Sequence, residues 1–315
     1  MRNLLLTLLF LLTASLPAAA GDDPRLLEHL RDRTSMGHSP NLRADVNMVL
    51  VPVTVLDDLG RNVLGLDRRR FHVFDSSRPM DIAAFSRQDQ PISIGLIYDC
   101  SGSMRGKFRT AREAPAALYR QLSPDDESFL ITFSDRPVLR EGFTSQFGDI
   151  ENDLAFTNPS GSTSLVDSVV LGLDQMRRAR NPRKALVIVS DGGDNNSRYT
   201  MHELVERAVE SDTQIFSIGL HQDPQSIEEF LGPQLLSKLS QVTGGFHYSV
   251  TDLNDLGDVM ARIGVTLHNQ YVLGYYPPPG IPTGKYHRIR VKLDMPKGFS
   301  QFLVFSRAGY YAPAR

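Results

Sequence analysis

The sequence has a single cysteine, no tryptophan and, in 315 residues, only one long apolar run. One cysteine cannot close an intramolecular disulfide. It also excludes zinc ribbons, iron–sulfur clusters and C-x-x-C redox pairs, which all need several thiolates. An excess of either charge is missing too: 34 Lys and Arg stand against 36 Asp and Glu, a formal net charge of −2. Nucleic-acid binding calls for a basic excess or stripe, so no nucleic-acid partner is expected. What is present is ordinary globular composition, 41% hydrophobic and 22% charged. The chain is long enough to bury a core without covalent staples.

The apolar run lies at the N-terminus. Arg2 precedes it, residues 4–16 are Leu-rich, and Pro17-Ala18-Ala19-Ala20 supplies a small-residue cleavage pattern. A bilayer span takes ~20 apolar residues, more than the run offers. Residues 1–20 are therefore expected to be a signal peptide. The exported remainder, roughly 295 residues, would be periplasmic or secreted, with no transmembrane anchor. Residues 21–44 are polar, broken by Gly37 and Pro40, and read as a linker.

From 45 to 88 the texture is β: a Val/Leu-rich strand over 46–56, then Asp57-Asp58-Leu59-Gly60 as a turn and alternation over 71–74. Pro52 suggests that the first strand is an edge or carries a bulge. From 89 to 268 short apolar runs (92–98, 129–133, 185–189, 214–218, 246–250) alternate with amphipathic stretches (107–122, 165–180, 201–210, 233–241, 253–267). That alternation indicates βαβ units: an α/β, doubly wound, mostly parallel sheet flanked by helices. Residues 269–315 return to strands (270–276, 286–293, 302–305). Each β segment is too small to stand alone. The two are expected to form one small all-β sandwich into which the α/β domain is inserted.

Three elements bear chemistry. Asp99-Cys100-Ser101-Gly102-Ser103 follows the first α/β strand, Gly161-Ser162-Thr163-Ser164 opens a helix, and Ser190-Asp191-Gly192-Gly193 follows a later strand. Ligands of open α/β sheets bind outside the carboxyl ends of the strands, so all three should converge on one rim. Their donors are carboxylates and hydroxyls. An all-oxygen set suits Mg²⁺, Mn²⁺ or Ca²⁺, and so few carboxylates leave a position for water or an incoming oxygen.

Asp99/Ser101/Ser103, Thr163 and Asp191-Gly192, with the strand Ile94-Gly95-Leu96-Ile97-Tyr98 before them, resemble the metal-ion-dependent adhesion site of von Willebrand factor type A domains. The likeness spans about residues 89–268. It implies that Asp99, Ser101, Ser103, Thr163 and Asp191 surround one divalent cation, Mg²⁺ or a similar ion, and that a partner carboxylate completes the shell. The flanks, Val49-Leu50-Val51-Pro52-Val53-Thr54-Val55 and Tyr271-Val272-Leu273-Gly274-Tyr275-Tyr276-Pro277, resemble exported VWFA-related domain proteins, a group abundant in acidobacteria. Cys100 departs from the usual residue there, and a thiol beside a metal is open to oxidation or soft-metal capture.

The expected function is metal-dependent capture of a protein ligand offering an Asp or Glu carboxylate, rather than catalysis. Gly102, Ser162, Gly192, Asp194 and Asn195 are candidates for the ligand rim, since functional residues concentrate on such loops. Two alternatives stand beside this: metal-assisted hydrolysis, for which His221 is the base to check, and an envelope scaffold with an idle metal site. Other motif fragments fail. Gly102 to Lys107 has three intervening residues where a phosphate loop needs four, and His202-Glu203 meets Glu206 where a zinc-protease helix needs His.

Overall fold

The computed structural model describes residues 48–87, 90–191, 193–221, 227–278, 284–295 and 302–312. The expected leader and linker, residues 1–44, lie outside them. The N-terminal β segment forms β1 (Val49–Leu56), β2 (Phe71–Asp75), β3 (Arg78–Met80) and β4 (Ala84–Arg87). The α/β stretch contributes β5 (Ile92–Asp99), β6 (Glu127–Phe133), β7 (Pro137–Thr144), β8 (Arg183–Ser190), β9 (Gln214–Leu220) and β10 (His247–Val250). After it come β11 (Tyr271–Tyr275), β12 (Tyr286–Leu293), β13 (Leu303–Ser306) and β14 (Gly309–Tyr311).

The six middle strands make one sheet in the order β10-β9-β8-β5-β6-β7, parallel except for β7. Every residue of β5, β6 and β9 is buried, as expected of strands covered on both faces. The helices are α1 (Phe108–Ala111), α2 (Pro115–Tyr119), α3 (Phe147–Ala155), α4 (Leu165–Met176), α5 (Met201–Glu210), α6 (Ile227–Thr243) and α7 (Leu256–Leu267). One face of the sheet packs Leu96, Tyr98, Leu130 and Val187 against α1, α2 and α7. The other packs Ile97, Ile131 and Ile188 against α4, with Leu204 of α5 and Leu236 of α6. A capping box starts α5: Thr200 Oγ1 accepts the Glu203 N–H (3.3 Å), and the Glu203 carboxylate accepts the Thr200 N–H (2.7 Å).

Two helix expectations need correction. Residues 107–122 do not form one helix, because Pro115 has no N–H to continue the ladder. Proline at a first helical position is tolerated, and Pro115 starts α2. The same preference places a helix start at Pro233, yet α6 begins at Ile227 and keeps Pro233 inside, forgoing a backbone bond there.

The outer segments build two antiparallel four-stranded sheets, β13-β1-β11-β4 and β14-β12-β2-β3. Their inner faces share a core that includes Val51, Val53, Phe71, Val73, Tyr271, Leu273 and Ile289. Strand β1 is interior and its pairings carry no register shift, so Pro52 marks neither the edge nor the bulge that it suggests in the sequence. The proline is accommodated because β13 pairs only residues 53–56, so β11 alone lies beside Pro52. At the heart of this core is Asp75, 2% exposed. Its Oδ2 accepts the hydroxyls of Tyr275 (3.0 Å) and Tyr310 (2.9 Å), and its Oδ1 lies 3.0 Å from His287 Nδ1. Tyr275 belongs to one sheet and the other three to the second, so the cluster ties the layers together.

Candidate functional site

Strands β5 and β8 are parallel neighbours, with Tyr98 opposite Val189, so Asp99 and Asp191 emerge side by side at their carboxyl ends. From β5 the chain proceeds to β6 on one flank, and later enters β8 on the other. The site thus lies where the strand order reverses, the usual position for ligands in such sheets.

The two carboxylates are 0% and 1% exposed. Asp99 Oδ1 accepts the Ser101 N–H (2.8 Å), and Oδ2 accepts the Ser190 hydroxyl (2.5 Å). Ser101 Oγ and Ser103 Oγ are 3.0 Å apart, and Ser103 donates to Asp191 Oδ1 (2.8 Å). Lys107 Nζ donates to Asp191 Oδ2 at 2.7 Å. Burial, reinforced by the negative charge of Asp191, raises the pKa of Asp99 to about 6 against hydrogen bonds from Ser101 and Ser190.

The loop that carries Thr163 meets this cluster through Gly161. Gly102 donates its N–H to Gly161 O (2.9 Å), which seats the 160–164 loop on the Ser101–Ser103 turn. Gly161 needs φ +83°, and a Cβ there would stand 2.7 Å from the Asp135 carboxylate, so the close approach requires glycine. Asp135 Oδ1 takes the Ser162 N–H (2.8 Å). On the far side Asn195 Oδ1 accepts the Thr163 N–H (2.8 Å), and Thr163 O accepts the N–H groups of Asn195 and Asn196. Among the described residues no hydrogen bond joins the Thr163 hydroxyl to either carboxylate. Asp194 Oδ1 accepts the Val166 N–H (3.2 Å) and the Ser197 hydroxyl. Asp194 and Asn195 therefore brace the Thr163 loop. Gly192 lies outside the described residues.

Sequence reasoning missed Lys107 and Asp135, and it named Ser190 in the third element without assigning it a role. The Cys100 expectation needs correction as well: the thiol is 5% exposed, packs in the core with Leu96 and Tyr98, and donates to Tyr98 O (3.7 Å). Burial pushes its pKa up, the reverse of a reactive thiolate. Among the described residues no three His, Cys, Asp or Glu side chains converge as a metal site, so any cation here would rest on two carboxylates and on hydroxyls.

His221 follows β9, two strands from β5. A Cβ built on Gly219 would stand 2.6 Å from His221 Nε2 and 2.9 Å from His247 Cε1, so the two rings share the space over that glycine. His247 Nδ1 bonds Ser217 Oγ (3.0 Å), while its Nε2 is buried with no hydrogen-bond partner among the described residues. Burial first and His221 second lower the His247 pKa from 6.5 to about 4. The folded state thus holds this ring neutral where the unfolded chain would charge it. Its contribution to stability is complete above pH 6.5 and falls as pH drops toward 4. Between pH 7 and 5 that loss is about 2 kcal/mol, at ~1.4 kcal/mol per unit below 6.5. Urea unfolding at the two pH values is the measurement, and His247→Gln should remove that part of the difference.

Residues 94–193 match the family profile of the von Willebrand factor type A domain, a stretch that begins inside β5 and includes both carboxylates. That segment is similar to von Willebrand factor type A domains, a family mostly of protein-interaction modules. A solved von Willebrand factor type A protein from Catenulispora acidiphila shares the fold over 86% of this chain and 75% of its own, with TM-score 0.51 and 10% identity. BatB from Bacteroides thetaiotaomicron aligns over 56% of this chain and 98% of its own, with TM-score 0.46 and 15% identity. The vWF domain of the type V pili tip protein Mfa5 from Porphyromonas gingivalis aligns over 57% and 96%, with TM-score 0.47 and 12% identity. At 10% identity the likeness to the Catenulispora acidiphila protein is one of fold. No curated protein matches the chain significantly. Among the described residues no helix is long and apolar enough to cross a membrane.

Proposed function

We propose that the chain is an exported VWFA-related module that binds a divalent cation and through it grips an acidic side chain of a partner protein. The observation that carries this reading is the buried pair Asp99–Asp191, joined by the Ser101 and Ser103 hydroxyls at the switch point of the sheet. The donor set fits a hard cation: every candidate ligand is oxygen, and the two carboxylates match a divalent charge. Asp99, Ser101, Ser103, Thr163 and Asp191 would hold Mg²⁺, Mn²⁺ or Ca²⁺, which when bound supplies a coordination position for a partner carboxylate. Around it the chain holds the cluster rigid, through the Gly102–Gly161 contact and the brace from Asn195 to Thr163. Binding rather than hydrolysis is favoured because His221 packs with His247 over Gly219, on the β9–β10 side of the sheet. The apolar N-terminal run with its small-residue end supports export to the periplasm or beyond.

Calorimetric titration with Mn²⁺ tests the site. Wild type should bind, and Asp99→Asn and Asp99→Ala should each weaken binding by at least about 100-fold, in line with loss of a charged ligand. Equal affinity in all three proteins would show that the cation, if bound, sits elsewhere.

A further inference from the structure

We infer that Lys107 is a built-in counter-ion of the Asp99–Asp191 pair, and that it sets how tightly the site takes a divalent cation. The inference rests on the metal-binding reading above and concerns the competition within that site. Lys107 is 6% exposed, which is costly for an ammonium unless a carboxylate meets it. Its Nζ lies 2.7 Å from Asp191 Oδ2, with both side chains buried. Lys107 follows the 3₁₀ turn Gly102–Gly106, so it stands on the same short segment that supplies Ser101 and Ser103.

The cluster is complete in its hydrogen bonds without any cation. Each of the four carboxylate oxygens accepts a donor from the protein: the Ser101 N–H, Ser190 hydroxyl, Ser103 hydroxyl and Lys107 ammonium. The lysine also reduces the charge of the pair from −2 to −1. A divalent cation entering here meets an ammonium already bound to one of its two charged ligands. In a buried setting like charges repel far more strongly than in water. The Ser103 hydroxyl must also turn its proton away from Asp191 before its lone pair can face a cation. Binding therefore requires the ammonium to withdraw or the cation to accept a half-neutralised partner. Either way the lysine lowers affinity and stabilises the cation-free protein.

Lys107→Met removes the charge while keeping most of the length. It should tighten Mn²⁺ binding at least tenfold by calorimetry, and lower the melting temperature in EDTA by several degrees, with added Mn²⁺ restoring it. Lys107→Gln, a milder change should the methionine variant fold poorly, should shift both readings in the same direction. Lys107→Arg keeps the charge and should hold affinity near that of wild type. If wild type binds Mn²⁺ and the uncharged variants bind it no more tightly, Lys107 is not a competitor and the metal reading stands alone. If neither wild type nor the uncharged variants bind Mn²⁺, the metal reading fails and takes this inference with it.

Discussion

Asp75→Ala should lower the unfolding free energy by about 4 kcal/mol, because three buried donors each lose a partner worth ~1–3 kcal/mol. Two of those donors are the Tyr275 and Tyr310 hydroxyls, and the third is His287 Nδ1. Burial raises the pKa of both phenols, so neither can relieve its loss by ionising. The cluster joins the two sheets of the sandwich, and the cavity left by the carboxylate would sit between the layers. In a domain of this size the change corresponds to roughly 10 °C in melting temperature. Asp75→Asn keeps the shape and one acceptor oxygen, and about half the loss is expected. Thermal melts followed by circular dichroism measure both, and an alanine variant melting within ~2 °C of wild type would deny the cluster any part in holding the sheets.

Gly245→Ala should be harmful on a similar scale. An added Cβ would lie 2.0 Å from the carbonyl oxygen of Ile215 and 2.7 Å from its carbon, both backbone atoms of a buried strand. No rotamer change relieves that clash, so β9 or the start of β10 must shift, at a cost of about 3 kcal/mol or more. Soluble yield and the urea midpoint should both drop. Gly257→Ala is the matched control: nothing stands within 4 Å of its Cβ position in α7, and alanine is the better helix former.

Much of the fold is legible in the sequence because buried parallel strands leave a strong local signal. Ile92 to Asp99 is nearly all apolar, and so is the run ending in Ser190-Asp191, so both strand ends and the residues beyond them stand out. Helix α3 leaves almost none. It buries only Ile150 and Leu154, and its sequence includes Gly148, Asp149 and Asn152, which favour turns. Cys100 was readable in principle, since residues two apart on a strand share a face. Leu96, Tyr98 and Cys100 continue one such face into the core. Lys107 was not readable. Its partner is 84 residues away, and the pairing exists only because β5 and β8 are neighbours in space. Asp135 is hidden for the same reason: its place under the Gly161 loop depends on the turn after β6.

Strand β1 pairs with β11 and β13, more than two hundred residues further along the chain. The first β segment to emerge therefore has no sheet partner in β11 or β13 until the whole middle domain has been made. Its apolar residues Val51, Val53 and Val55 must wait for their β11 and β13 partners in the last seventh of the sequence. Folding is thus ordered by topology: the middle domain can close on contacts of its own, whereas the outer sandwich records that β11 and β13 have been made. A chain cut short before β11 would keep both carboxylates of the candidate site yet carry an unmated hydrophobic strand, which marks incomplete copies for aggregation or proteolysis.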